Sequence, residues 1–184
     1  MHTVAASLFT ALLLAAGAAR ADERTFSLGV RATARAGGYF MGGGGAQLRF
    51  HFARRVGLEF YADALAGEGH SILRRDVEIG GAASYDVVRT PRFGLHPLLG
   101  TCVLLATAHD QNHDDGTVSQ IWWGVRAGIG AAWQVSERVT LQAQLHALLY
   151  LGHPFDAEGW FLAPSDRLTV TPMGQAVVAV NFAP

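Results

Sequence analysis

The sequence predicts an all-β chain: eight antiparallel strands in up-and-down order, closed into a transmembrane barrel and preceded by a cleaved signal peptide. Three observations predict it. Apolar and polar residues alternate with period two over most of the chain after residue 21. Short connections alternate with longer ones, and outward aromatics recur about one lipid band apart.

The first element is the export segment. From Val4 to Gly17 the chain is almost wholly apolar, and Ala19-Arg20-Ala21 closes it with the small-x-small pattern read by a signal peptidase. The run is too short for a membrane-spanning helix, which needs roughly 20 apolar residues. Cleavage of residues 1–21 from the 184 leaves 163, expected to form one barrel domain over residues 22–184.

Eight strand segments follow, at about 26–35, 43–52, 56–66, 76–87, 92–106, 120–134, 138–150 and 168–182. In the second, Leu48, Phe50 and Phe52 alternate with Gln47, Arg49 and His51. In the third, Val56, Leu58, Phe60 and Ala62 alternate with Gly57, Glu59, Tyr61 and Asp63. The sixth sets Ile121, Trp123, Val125, Ala127, Ile129, Ala131 and Trp133 against Trp122, Gly124, Arg126, Gly128 and Gly130. The seventh sets Val139, Leu141, Ala143, Leu145 and Ala147 against Thr140, Gln142, Gln144 and His146. Ala53–Arg55, Val88–Pro91 and Val135–Glu137 read as tight turns, whereas 36–42, 67–75, 107–119 and 151–167 read as long loops. Short turns on one rim and long loops on the other is the asymmetry of an outer-membrane barrel, with the short turns and both termini in the periplasm. Closure is a physical requirement, since an open sheet edge in lipid leaves unpaired N–H and C=O groups.

Composition excludes several classes. Half of the residues are apolar, 16% are charged, and every Lys/Arg position is Arg. Removal of Arg20 leaves 13 Arg of 14 against 15 acidic residues, a balance that argues against nucleic acid as a partner. The single cysteine, Cys102, excludes an intrachain disulfide framework. It falls on an inward face beside Gly100 and Leu104, where a small packed residue is expected.

The aromatics mark the two rims. Phe26, Phe52, Tyr85, Phe93, Trp133 and Phe182 fall on outward positions near the short-turn rim, as interface aromatics, and Trp123 lies near the other end of the strand that carries Trp133. Ten residues at roughly 3.3 Å, tilted by about 40°, rise about 25 Å, the height of the lipid-facing band.

With these patterns the chain resembles the small eight-stranded outer-membrane barrels, the OmpA-transmembrane-domain and OmpX-like group. The resemblance covers nearly the whole chain after residue 21. In that group the last strand ends in an aromatic residue preceded by apolar residues at alternate positions, which the assembly machinery reads. Ala176, Val178, Val180 and Phe182 match, and Ala183 and Pro184 depart by following the aromatic. The resemblance implies export through the periplasm, an outer-membrane location, and lipid and that machinery as partners.

A barrel of eight strands is just wide enough to be filled by its own side chains. The inward positions carry Arg31, Arg35, Arg49, Glu59, Asp63, Glu78, Asp86, Arg92 and Arg126. If the turn at 53–55 sets the register, Arg49 lies across from Glu59. Basic, acidic and again basic strands then follow one another, an ion-pair lattice that plugs the lumen. Scattered polar residues around a narrow wet channel are the alternative.

Three stretches could carry chemistry. His109-Asp110-Gln111-Asn112-His113-Asp114-Asp115-Gly116 is dense in metal ligands, with His109, Asp110, His113 and Asp114 as candidates. Its Gly falls one place late for a calcium loop and no Glu closes it, so a solvated loop is the default. His70-Ser71, His146 and His153 form no recognisable nucleophile–base set. Gly42–Gly45 lacks the Lys and Ser or Thr of a phosphate-binding loop and is read as permissive backbone at a bent strand end. Loop 151–167 holds Phe155, Trp160 and Phe161, expected as an interface anchor or a partner contact. No cofactor is expected. The leading reading is a non-enzymatic outer-membrane protein that is structural or presents surface loops to an unknown ligand. A narrow channel or small-solute transport barrel, a lipid-modifying enzyme and a soluble lipocalin-like barrel are the rivals.

Overall fold

The structure is a computed structural model that describes residues 25–37, 39–52, 55–69, 72–110, 117–153, 155–158, 161–164 and 167–184. The expected signal peptide and the Ala53-Arg54 part of the first short turn lie outside them. Among the described residues eleven strands are formed: β1 (Thr25–Gly37), β2 (Tyr39–His51), β3 (Val56–Gly69), β4 (Ile72–Tyr85), β5 (Val88–Arg89), β6 (Phe93–Asp110), β7 (Thr117–Gln134), β8 (Val139–Gly152), β9 (Phe155–Glu158), β10 (Phe161–Pro164) and β11 (Thr169–Phe182).

Eight of them make the barrel. Antiparallel pairing runs β1–β2–β3–β4–β6–β7–β8–β11, and β11 returns to β1 with Ala32 opposite Val178. β5 pairs with the start of β6, and β9 and β10 form a separate hairpin between β8 and β11. Closure leaves no free edge in the cylinder, the condition for crossing a bilayer with strands.

The alternation of the sequence becomes an inside and an outside. On β8, Gln142, Gln144, His146, Leu148 and Tyr150 are buried while Leu141, Leu145, Leu149 and Leu151 face out. On β11, Gln175, Val177, Ala179 and Asn181 point inward and Val178 and Phe182 outward. Along the middle of the strands the large exposed side chains are apolar, among them Leu99 at 68%, Trp123 at 66% and Ile79 at 62%, while exposed charges such as Arg55, Glu68, Arg92 and Arg138 lie toward the strand ends and turns. In a water-soluble barrel such a continuous apolar belt would be an aggregation surface; here it is the lipid-facing band.

Two expected loops are strand instead. β1 runs to Gly37 and β2 begins at Tyr39, and β3 runs to Gly69 with β4 beginning at Ile72, so segments 36–42 and 67–75 belong mostly to tight hairpins. The loop expected at 107–119 shrinks likewise, because β6 reaches Asp110 and β7 starts at Thr117. Glycine and charge, which read as loop signals, serve the interior here. Gly45 pairs with Arg31 on one side and Asp63 on the other, and a Cβ there would strike the Ala62 carbonyl and the Asp63 carboxylate. Its bareness lets Arg31 and Asp63, two strands apart, meet at 3.0 Å.

Other inward glycines stand beside large side chains, in a small-to-large match that fills a narrow cylinder. Gly80 faces the Tyr61 ring and Gly152 the Trp122 indole. Gly80→Val is therefore expected to overpack the wall and cost about 1–3 kcal/mol. Gly42→Ala, with open space around its Cβ position, should be close to neutral. Urea midpoints of the folded barrel in detergent compare the two.

Candidate functional site

The interior is the candidate site, and among the described residues it is charged and balanced. Five arginines (Arg31, Arg35, Arg49, Arg74 and Arg126) and five carboxylates (Glu59, Asp63, Asp76, Glu78 and Asp86) are buried there. Burying ions is costly unless each has partners, so their arrangement decides whether the barrel stands.

Two carboxylates organise two layers. Glu59, projecting from β3, accepts hydrogen bonds from Arg31 at 3.2 Å, Arg126 at 3.0 Å and Gln144 at 2.8 Å, and Arg49 Nε lies 3.8 Å away. Arg49 pairs with Glu59 in the register expected from the turn. Thr33 donates to Asp63 at 3.1 Å. The guanidinium carbons of Arg31 and Arg126 lie 4.4 and 4.1 Å from the Tyr61 ring centroid, adding cation–π attraction.

Nearer the long-loop end, Glu78 accepts from Arg35, Tyr61 and Tyr150. Arg35 also reaches Asp76 at 3.3 Å, and Arg74 grips Asp76 through two parallel bonds of 2.9 and 3.1 Å. Arg74 in turn lies over Trp122 at 4.8 Å and Phe155 at 5.7 Å. The Trp122 indole donates to the His153 carbonyl at 3.0 Å, so the segment leading into the β9–β10 hairpin is tied to the barrel mouth.

Toward the short-turn end an amide belt crosses the lumen. Gln47 donates to Gln142 at 3.0 Å and Asn181 at 2.7 Å, and Gln142 Nε2 lies 3.4 Å from His96 Nε2. Beyond it a cavity of about 270 Å³ opens at the short-turn mouth, with Ser27, Arg49, His51, Asp86, Gly94 and Asn181 in its lining. Asp86 sits 3.4 Å from Arg89 and 3.7 Å from His96 Nδ1.

The structure brings together Arg31, Arg35, Arg49, Glu59, Asp63, Glu78, Asp86 and Arg126 inside the barrel. Arg92 departs from the expectation. It lies exposed in the turn before β6, where its carbonyl accepts from the Gln134 amide at 2.9 Å, because β6 begins only at Phe93. Sequence reasoning misses Arg74 and Asp76, which fall in an expected loop and at an expected strand end. Continuing the alternation back from Glu78 through Asp76 to Arg74 is the signal that finds them. The hydroxyls of Tyr61 and Tyr150 and the Gln–Asn belt give no charge signal in sequence and are missed as partners.

Phe26, Tyr85, Phe93, Trp133 and Phe182 are 43–60% exposed at the short-turn rim. Phe52 follows β2 at the same rim, half-buried and stacked on Phe50 with centroids 6.0 Å apart. Trp123 is exposed ten residues up β7 from Trp133. His109, next to last in β6, has its Nδ1 2.9 Å from Thr117 Oγ1, and Asp110 closes the strand opposite Ile72. His113 and Asp114, like His70, Ser71 and Trp160, lie outside the described residues. Cys102 is buried in an apolar cluster with Tyr61, Leu104, Trp122, Leu148 and Tyr150.

No family model and no curated protein matches this sequence. Solved structures do. The neisserial surface protein A superposes with a TM-score of 0.57 at 12% identity, over 86% of this chain and 96% of that one. The N-terminal β-barrel domain of Pseudomonas aeruginosa OprF gives 0.55 at 13% identity, over 88% and 100%. A major outer membrane protein from Thermus thermophilus gives 0.62 at 11% identity, over 88% and 100%. At such identities the likeness is one of fold. By that fold and by its exposed apolar belt the chain is a small closed eight-stranded β-barrel of the transmembrane type.

Proposed function

We propose that this barrel is an integral structural element of the outer membrane, closed through its lumen by its own side chains and holding its longer loops at the cell surface. One observation carries the reading. Glu59 is bonded to Arg31 on β1, Arg126 on β7 and Gln144 on β8, so polar links run from wall to wall across the lumen. A conducting pore needs a continuous wet path, and these layers occupy it. The short turns then face the periplasm and the β9–β10 side faces outward.

The test is conductance in planar bilayers. The unmodified chain is expected to show no large stable openings, and the Arg49→Ala, Glu59→Ala double variant to show more frequent ones. Large stable openings in the unmodified chain would overturn the sealed reading in favour of a transport barrel. Folding is checked on the same samples by gel mobility before and after boiling, which differs for an intact barrel. A membrane lipid profile altered by expression of the chain would instead support a lipid-modifying enzyme.

A further inference from the structure

The plug does not extend to the short-turn mouth, and the charge at that boundary is not evenly matched. Around Glu59 stand three guanidinium groups, those of Arg31, Arg49 and Arg126, with Asp63 as the second carboxylate, ion-paired with Arg31. Three positive charges share these two negative ones, and Asp86, on the cavity side, is the further carboxylate that Arg49 senses. The longest of these pairs, at 3.8 Å, belongs to Arg49, whose side chain is 5% exposed and lines the cavity. The remaining charges on the lining are Asp86 and Glu137 against Arg89 and Arg92, with His51 beside Arg49. Asp86 is engaged by Arg89. With the histidine neutral, the lining holds three guanidinium groups, those of Arg49, Arg89 and Arg92, against the two carboxylates of Asp86 and Glu137, so the excess charge at the cavity is positive. Burying a guanidinium with less than a full counter-charge is unfavourable, and an anion that enters from the open mouth relieves it.

The walls suit a small ligand. Ser27, Thr140 and Asn181 present short polar side chains, and Gly94 and Ala132 leave the space unfilled. A Cβ at Gly94 would meet only the Asp86 carboxylate and the Val88 carbonyl, each at 3.8 Å, so the hollow extends to the β6 backbone with Asp86 on that side and Arg49 among the other lining residues. About 270 Å³ takes a small organic anion rather than a polymer chain. We propose that the short-turn mouth is a binding site for a small periplasmic anion bearing a carboxylate or phosphate group, with Arg49 as its charged anchor. The site lies on the far side of the amide belt from the outer loops, so it goes beyond the sealed-scaffold reading.

Titration calorimetry on the full chain folded in detergent tests this, at constant ionic strength, with acetate and inorganic phosphate as probes and acetamide as the uncharged control. Saturable heat is expected with at least one anion and none with acetamide; the anion that saturates at lower concentration tells carboxylate from phosphate. Arg49→Gln is expected to weaken binding at least tenfold. Gly94→Leu, which fills the hollow and leaves every charge in place, is expected to do the same. Equal heats from acetate and acetamide, or anion binding unchanged in both variants, would refute the site. Bilayer conductance of the same variants separates the two readings: loss of anion binding in a chain that stays closed leaves the sealed barrel standing.

Discussion

Glu78→Ala is expected to destabilise the barrel by about 3–5 kcal/mol, the largest effect expected of any single interior change. Glu78 is fully buried and accepts from Arg35, Tyr61 and Tyr150 on three other strands. Removing it leaves the Arg35 guanidinium with Asp76, which Arg74 already grips, and strands two phenol hydroxyls without their acceptor. The cost is that of unpaired buried groups, so it should fall when the charge is removed from both sides. Arg35→Met combined with Glu78→Met is therefore expected to recover much of the loss, and Glu78→Gln, which still accepts from the tyrosines, to lie between. Urea midpoints in lipid vesicles, read by tryptophan fluorescence, give the ranking. A loss below about 1 kcal/mol for Glu78→Ala would mean that the layer is wet and screened.

Ile129→Arg is expected to cost about 2–4 kcal/mol in a bilayer, because it puts a charge on the lipid face near mid-depth. Ile129 is 59% exposed on β7, between the exposed Trp123 and Trp133. In a water-soluble barrel an exposed site of this kind would accept Arg within about 0.5 kcal/mol. The same variant measured in vesicles thus distinguishes lipid from water outside the belt. Ile129→Leu, equally apolar, serves as the neutral reference. Little or no loss from the Arg variant in vesicles would contradict a membrane-spanning barrel.

Much of the inside–outside assignment was legible because a strand allows only two directions for a side chain. Once Phe60 faced lipid, Glu59, Tyr61 and Asp63 had to face the lumen, and closure made them neighbours of Arg31 and Arg126. The ends of the strands were less legible. Gly42–Gly45, Gly67 and the Arg74-Arg75-Asp76 run carry the residue types of loops, yet β2, β3 and β4 pass straight through them. Arg92 shows the converse error, where one residue of over-extension turned an exposed turn side chain into an inward one.

The sequence by itself determined the class of fold, the two faces of most strands and the supply of interior charge, because period two and lipid contact constrain every residue locally. Only the tertiary structure decided which charges meet. Arg31 reaches Asp63 because Gly45 between them has no side chain, Glu59 collects donors from strands that are far apart in the chain, and Arg74 joins Asp76 under Trp122. It also decided where the filling stops, leaving a hollow beneath Arg49 at the short-turn mouth. Such contacts depend on side-chain reach across a closed cylinder, a distance that no local pattern encodes.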